Sequence, residues 1–455
     1  MIRKNFFTSS FTLFLLSSLF LAQISAQETS FSGSLTAQAG VGLPQTHENK
    51  GHFLLGTTVF DGTVKSYMGE SMMVVNSQLI YDALGAQSSN GTEALVSEDA
   101  SFALKLKEAY FDYNGGSWAL RAGRQIAAWG KADSIQVADI LCPQDSSVMI
   151  AANYKESRLG IDALRLSYIL DFLQLDAYWI PFFTPSTLPF AKGNPLNPIQ
   201  FPKSFGGMPV SSPGSMSEFD LPEKKLSNSE YALRLGVNLS SLDFSLYGFY
   251  GWEDTPFFTY SPVFSGEDIS GINLKGSYER LMMFGADSAI PLGNFVFRFE
   301  AAYFPERYLQ TSAEYQESRM ISGLNNESTK RRHQLVGLLG FDWDAGSGLN
   351  IMAQYVGDAI FDGVKELDRK AYTHLATLTL EKSLMNELLS LTLHGELDLC
   401  EFSSLINAET EYSLTDSVKL GLIGNFFFEG KDDENGEYGI YRDLSCITLK
   451  GKISF

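Results

Sequence analysis

The chain has 455 residues, a formal charge of −19, and a composition rich in Phe (34), Tyr (20) and Gly (40) with only three Cys. The acidic balance argues against a nucleic-acid partner, whose phosphates demand Lys and Arg. Beyond the first segment no stretch approaches roughly 18 consecutive apolar residues, which excludes a helical inner-membrane protein but not crossing strands, whose hydropathy signal is much weaker.

In chain order, Arg3 and Lys4 precede an apolar run from Phe11 to Ala22, and Ile24-Ser25-Ala26 closes it before Gln27. The run is shorter than the roughly 20 residues that span hydrocarbon, so residues 1–26 read as a secretory signal peptide and 27–455 as the domain that follows. Onward from 29, the sequence divides into alternating stretches near 29–41, 52–66, 71–83, 101–113, 117–125, 158–170, 172–183, 229–239, 242–253, 272–289, 293–305, 332–344, 348–359, 370–382, 389–399, 403–413, 417–428 and 444–455. Each is about the length that a tilted strand needs to cross a bilayer.

Short connections such as Asn114-Gly115-Gly116, Ser240-Ser241 and Thr415-Asp416 alternate with long ones at 84–100, 126–157, 184–228, 254–271, 306–331 and 429–443. Period two gives the faces: Tyr231, Leu233, Leu235, Val237 and Leu239 alternate with Ala232, Arg234, Gly236 and Asn238, so the apolar set faces lipid and the other set a lumen. Trp118, Trp179, Trp252 and Trp343 sit at strand ends, where an interfacial girdle forms; a soluble sandwich instead collects branched aliphatics in a core. The expected fold is all-β: a transmembrane, antiparallel, up-and-down barrel of about 18 strands (16–18), with short periplasmic turns and long extracellular loops. Nothing before residue 29 supplies a plug domain, against a TonB-type receptor.

The last strand ends Ile447, Leu449, Ile453, Phe455. A terminal aromatic on an alternating strand resembles the end of a bacterial outer-membrane β-barrel. That resemblance implies a bacterial outer-membrane location, contact with outer-membrane lipid, and an assembly role for Phe455 toward the barrel-assembly machinery.

Lumen-parity bases come first, at Lys105, Lys107, Arg121, Arg165, Arg234 and Arg298; lumen-parity carboxylates follow at Glu300, Glu396, Asp398, Glu409 and Glu411. These are the expected pore-lining residues, forming opposed charged walls that orient polar solutes. The segment Gly123-Arg124-Gln125 through Trp129-Gly130-Lys131-Ala132-Asp133 to Asp139 and Cys142-Pro143-Gln144-Asp145 is the densest local signal. It resembles the Gly-Arg-Gln, Trp-Gly and Asn-Pro-x-Asp pattern of a poorly characterised proteobacterial outer-membrane family known as a domain of unknown function, with Cys142 in place of the Asn. In porins, which the whole arrangement resembles, the third long loop commonly folds into the lumen. The segment 126–150 is therefore expected to fold in as a constriction, with Arg124, Trp129, Lys131, Asp133 and Asp139 as its working residues. The Pro- and Phe-rich loop 184–228 reads as a lid or an exposed surface.

The five histidines, His47, His52, His333, His374 and His394, are not joined by a Gly-x-Ser-x-Gly, a metal triad or a phosphate loop, so no enzyme activity, cofactor or metal is expected. Cys142, Cys400 and Cys446 leave open whether any two form a disulfide. The expected function is a porin-like channel for passive diffusion of small solutes. Its alternatives are an outer-membrane transporter of hydrophobic molecules and a surface adhesin or antigen on a barrel scaffold. Association of barrels into a homo-oligomer stays open.

Overall fold

The computed structural model describes residues 28–43, 50–92, 95–148, 156–201, 203–266, 268–431 and 436–455. The signal-peptide segment 1–26, His47 and residues 149–150 of the expected constriction lie outside them.

Among the described residues, eighteen strands close into one antiparallel barrel. They are β1 (Glu28–Gly42), β2 (Phe53–Met68), β3 (Ser71–Asp82), β4 (Phe102–Asn114), β5 (Trp118–Gln125) and β6 (Ile161–Ile169). Next come β7 (Leu173–Ile180), β8 (Glu230–Leu239), β9 (Leu242–Trp252), β10 (Arg280–Leu292), β11 (Phe295–Gln310) and β12 (Thr329–Gly346). The ring ends with β13 (Leu349–Ile360), β14 (Tyr372–Leu384), β15 (Leu389–Asp398), β16 (Ser404–Ser413), β17 (Val418–Phe428) and β18 (Cys446–Ser454). Each pairs with its sequence neighbour, and β18 closes on β1 from Ser34↔Ser454 to Gly42↔Cys446. Closure leaves no edge, so every strand finds its backbone partners within the ring.

Phe455 completes the seam: its N–H and C=O exchange hydrogen bonds with Gly33 at 3.0 and 2.9 Å. Its ring lies outward against Phe31 and Phe60, with centroids 5.8 and 6.1 Å away. A Cβ on Gly33 would stand 2.9 Å from that ring, so the glycine makes room for the aromatic.

The outer surface carries Leu233, Phe284, Phe297, Leu339, Leu378, Leu393 and Leu422, all exposed, as an apolar belt. Trp118, Trp179 and Trp343 also point outward at its margins. Trp252 differs, lying half-buried under the Arg280 guanidinium, 4.1 Å from its ring, and donating to the Asn228 carbonyl.

Two boundaries depart from the sequence reading. The stretch 272–289 joins two elements: Asp268–Ser277 pairs with Phe257–Ser265 as a hairpin within the fifth loop, and the wall resumes at Arg280. Both segments alternate, so periodicity does not separate them. On β4, Lys107 is an extra residue between the pairs Asn76↔Glu108 and Ser77↔Leu106. This bulge shifts parity within the strand, so Lys105 precedes it on the lumen face while Glu108 and Asp112 follow it there.

Candidate constriction of the channel

Period two assigns a lumen face, but on β6–β13 the loop-end half of that face is apolar. Ile161, Ala163, Ile180, Ala232, Phe249, Leu281, Met283, Ala302, Phe304, Val336, Leu338 and Val356 form one buried cluster, completed by Ala127, Trp129, Val137, Ala138, Leu141 and Cys142 from the third loop. The loop between β5 and β6 thus lies inside the barrel on a bed of apolar side chains. Burial of that bed is the main force holding it there.

Polar contacts set its register. Glu300 of β11 takes three backbone N–H groups of the loop: Lys131 at 2.6 Å and Ala132 at 3.0 Å on Oε2, and Ala138 at 2.7 Å on Oε1. A carboxylate is suited to this, since each oxygen accepts more than one hydrogen bond and the charge strengthens them all. Gly130 sits at φ +82°, where a Cβ would come within 2.4 Å of the Glu300 carboxylate, so only glycine permits the approach. The Gly130 N–H donates to the Tyr247 hydroxyl at 3.2 Å, and that hydroxyl donates to Asp287. The Trp129 ring stacks on Tyr247 with centroids 4.8 Å apart and meets Tyr178 edge-on at 6.1 Å.

Around this centre, Asp139 accepts from the Trp129 N–H at 3.0 Å and from Arg158 Nε at 2.7 Å. Asp133 accepts from Arg298 at 2.8 Å and from the Gln354 amide at 3.1 Å, while Arg298 also reaches the Lys131 carbonyl and Asp342. Further along the loop in sequence, Asp145 pairs with Lys105 at 2.7 Å, both buried. Burial works against the Asp145 charge, but Lys105 and the hydrogen bonds from Lys105 and Ser147 outweigh it and hold the carboxyl below its usual range. Cys142 accepts from the Ala127 N–H at 3.2 Å, and burial pushes its thiol up to about 12, so it stays neutral. Cys142, Cys400 and Cys446 are all free thiols in the structure.

The structure separates the expected site residues into groups. Trp129, Lys131, Asp133 and Asp139 come together with Arg298 and Glu300 at the loop's seat. Arg124 does not join them: β5 runs to Gln125, and Arg124 forks onto Asp162 on the exposed, outward parity of β6, at 3.0 and 2.9 Å. Lys105 and Glu300, expected to line the open lumen, are only 7% and 4% exposed because the loop covers them. Lys107 donates to the carbonyls of Glu156 and Arg158. Arg121 pairs with Asp112, while Arg165 and Arg234 stand on the wall between Tyr178 and the turns.

The opposed walls are not each of one sign. Glu409 of β16 pairs with Lys450 of β18 at 3.3 Å across the intervening β17, and Glu411 with Lys419 of the neighbouring β17 at 2.6 Å. Glu396 accepts from the Tyr438 hydroxyl at 2.7 Å and lies 2.8 Å from His394 Nε2, while Asp398 accepts from the Cys400 N–H. Lumen carboxylates therefore recruit nearby donors rather than facing the opposite wall bare. Tyr247, Gln354 and Arg158 belong to the loop's seat but carry no signal in sequence beyond their lumen parity or loop position.

The fourth loop, between β7 and β8, is drawn inward as well. The Thr187 N–H donates to the Gln144 carbonyl of the third loop, and Asn194 donates to the Ser147 carbonyl at 2.7 Å. Beyond that point Leu196 is buried against Leu405 of β16 and Phe427 of β17, with Tyr438 and Leu444 of the ninth loop. The chain then returns through Phe201 and Phe219, which pack with Leu188, Phe190, Leu274 and Tyr278. Phe190, Phe201 and Phe205 are thus buried anchors and not exposed surface.

No curated protein matches the chain. Among solved structures, it is similar to OccAB1 of Acinetobacter baumannii at 9% identity and TM-score 0.52, over 95% of this chain and 97% of that one. It is also similar to OccAB2 of the same organism at 9% identity and TM-score 0.52, over 95% and 98%. At such identity the likeness speaks for the fold alone. A family profile described as "Protein of unknown function (DUF1302)" matches residues 30–397, and with most of the barrel inside that match the chain belongs to the DUF1302 family.

Proposed function

We propose that the protein is a passive outer-membrane channel for small solutes, narrowed from inside by the third loop and bridged at its outer mouth by the fourth. The observation that carries this reading is the seating of residues 126–142 against one side of the lumen, locked by Glu300. Eighteen strands about 4.8 Å apart, tilted about 40°, enclose a cylinder roughly 35 Å across its backbone. One layer of loop takes about 10 Å of that width, which narrows the lumen without filling it. The outward belt supports a bilayer location. With turns at the periplasmic end, the parity of the hairpins sets every long loop outside and Phe455 inside, where the assembly machinery would read it.

Burial of the loop phenylalanines favours the channel over the hydrophobic transporter and the adhesin, since both rivals need those rings free. Purified, refolded protein in planar bilayers should give discrete single-channel steps. Silence in repeated pure preparations, with the barrel shown folded by heat-modifiable gel mobility, would overturn the reading.

A further inference from the structure

We propose that the lumen wall holds a subsite for a small carboxylate solute, built from the guanidinium groups of Arg121, Arg165 and Arg234 with Tyr110 and Tyr178 beside them. It deepens the channel reading by naming the class of solute retained on the way through.

Arg121 of β5 and Arg165 of β6 are direct cross-strand partners. Like charges placed opposite one another destabilise a sheet, so the pair persists against a cost. Arg121 is partly compensated by Asp112 and lies 4.2 Å over the Tyr110 ring. Arg165 has no carboxylate within ion-pair distance among the described residues; it stands opposite Tyr178 across the strand pair, and its Nε is buried with no partner. Two strands on, Arg234 holds Ser245 Oγ at 3.3 Å and approaches Asp176 only to 3.9 Å, and its Nε too is buried without a partner.

The carboxylates nearby are already engaged. Asp176 accepts from the Ser167 hydroxyl and, at 3.0 Å on each oxygen, from the Gln174 amide; Asp287, further round the wall, accepts from Tyr247. Glu108, the other carboxylate near Tyr110, accepts from the Ile126 N–H at 3.1 Å and forms no ion pair with the cluster, so three guanidinium groups face two carboxylates within ion-pair distance, Asp112 and Asp176, in a chain whose formal charge is −19. A planar guanidinium presents paired N–H groups that match a carboxylate, so an incoming carboxylate supplies what the wall lacks: an acceptor and a negative charge. The tyrosine rings bordering the cluster suit a flat body attached to that group.

Benzoate is the probe, with benzamide as its uncharged counterpart. Equilibrium dialysis of labelled benzoate against the detergent-folded barrel reads the subsite without reference to conduction. Benzoate should bind and benzamide should not, and Arg165→Gln or Arg234→Gln should each weaken binding by on the order of tenfold or more. Arg165→Lys, which keeps the charge but loses the fork, should fall between them, and Lys452→Gln should bind as the parent does. Removing the opposed charge at Arg165 should leave the barrel at least as stable, so lost binding cannot be laid to misfolding. Equal binding by the parent and both Gln variants, or none by the parent, overturns the subsite. In bilayers, benzoate should block parent steps at lower concentration than those of either Gln variant. Steps without differential block refute the subsite alone, whereas binding without steps refutes the channel alone.

Discussion

Replacing Glu300 with alanine tests how the third loop is held. The substitution removes one carboxylate and leaves the N–H groups of Lys131, Ala132 and Ala138 without their acceptor. An abandoned buried donor costs about 1–3 kcal/mol. Because water can reach part of the vacated space beside Lys131 and Ala132, we take the lower end for those two, and the sum comes to roughly 3–5 kcal/mol. At 1.4 kcal/mol per factor of ten, that shifts the balance between seated and released loop by at least about a hundredfold. The strands around Glu300 keep their ladder, so heat-modifiable mobility should stay that of a folded barrel. Single-channel conductance should rise and become noisy, and the Trp129 contribution to emission, taken as the difference from Trp129→Phe, should become open to acrylamide. Unchanged conductance together with an unquenched Trp129 would show that the apolar bed alone seats the loop and that the carboxylate reasoning is mistaken.

Gly130→Ala should give the same noisy, enlarged conductance from the opposite cause, a clash at 2.4 Å in place of a lost acceptor; a parent-like channel would refute it. Asp254, in the fifth loop where its backbone carbonyl accepts from the Ser186 N–H of the fourth, has its carboxyl raised to about 6 by burial and then by Glu253. The folded state therefore keeps a proton that the unfolded chain gives up near the ordinary 3.8, and the resulting stability falls as pH rises through that window. Proteolysis within 184–228 should be slower at about pH 5 than at about pH 7.5, and Asp254→Asn should flatten the difference; faster cleavage at the lower pH would contradict the assignment. Phe455→Ala should reduce the amount of folded barrel in the outer membrane while leaving the conductance of correctly folded molecules unchanged, and an altered pore would show the ring to be misassigned.

The wall was legible because a crossing strand must turn an apolar side chain outward at every second position, as Leu233, Leu235 and Leu239 do on β8. The loop's seat was not, because its bed is apolar too. On β10, Leu281, Met282, Met283 and Phe284 run without alternation, and a continuous apolar run has no readable face. Trp129 and Gly130 marked the loop as structured, and lumen parity singled out Glu300, but nothing local links residues so far apart in sequence. Arg124 was grouped with the loop because Gly-Arg-Gln reads as a unit, whereas the strand ladder carries it through to the outward face. The single extra residue at Lys107 is likewise invisible until the partner strand fixes the register.

The path of the fourth loop has a mechanical consequence. A wide ring of strands with nothing across it flattens easily, since hydrogen bonds between neighbours resist separation far better than they resist a change of roundness. By running from Gln144 and Ser147 on one side to Leu405 and Phe427 on the other, the loop draws a chord across that ring. Its length and anchor points set the cross-section of the mouth, so shortening the segment between Thr187 and Leu196 would pull the circle toward an oval.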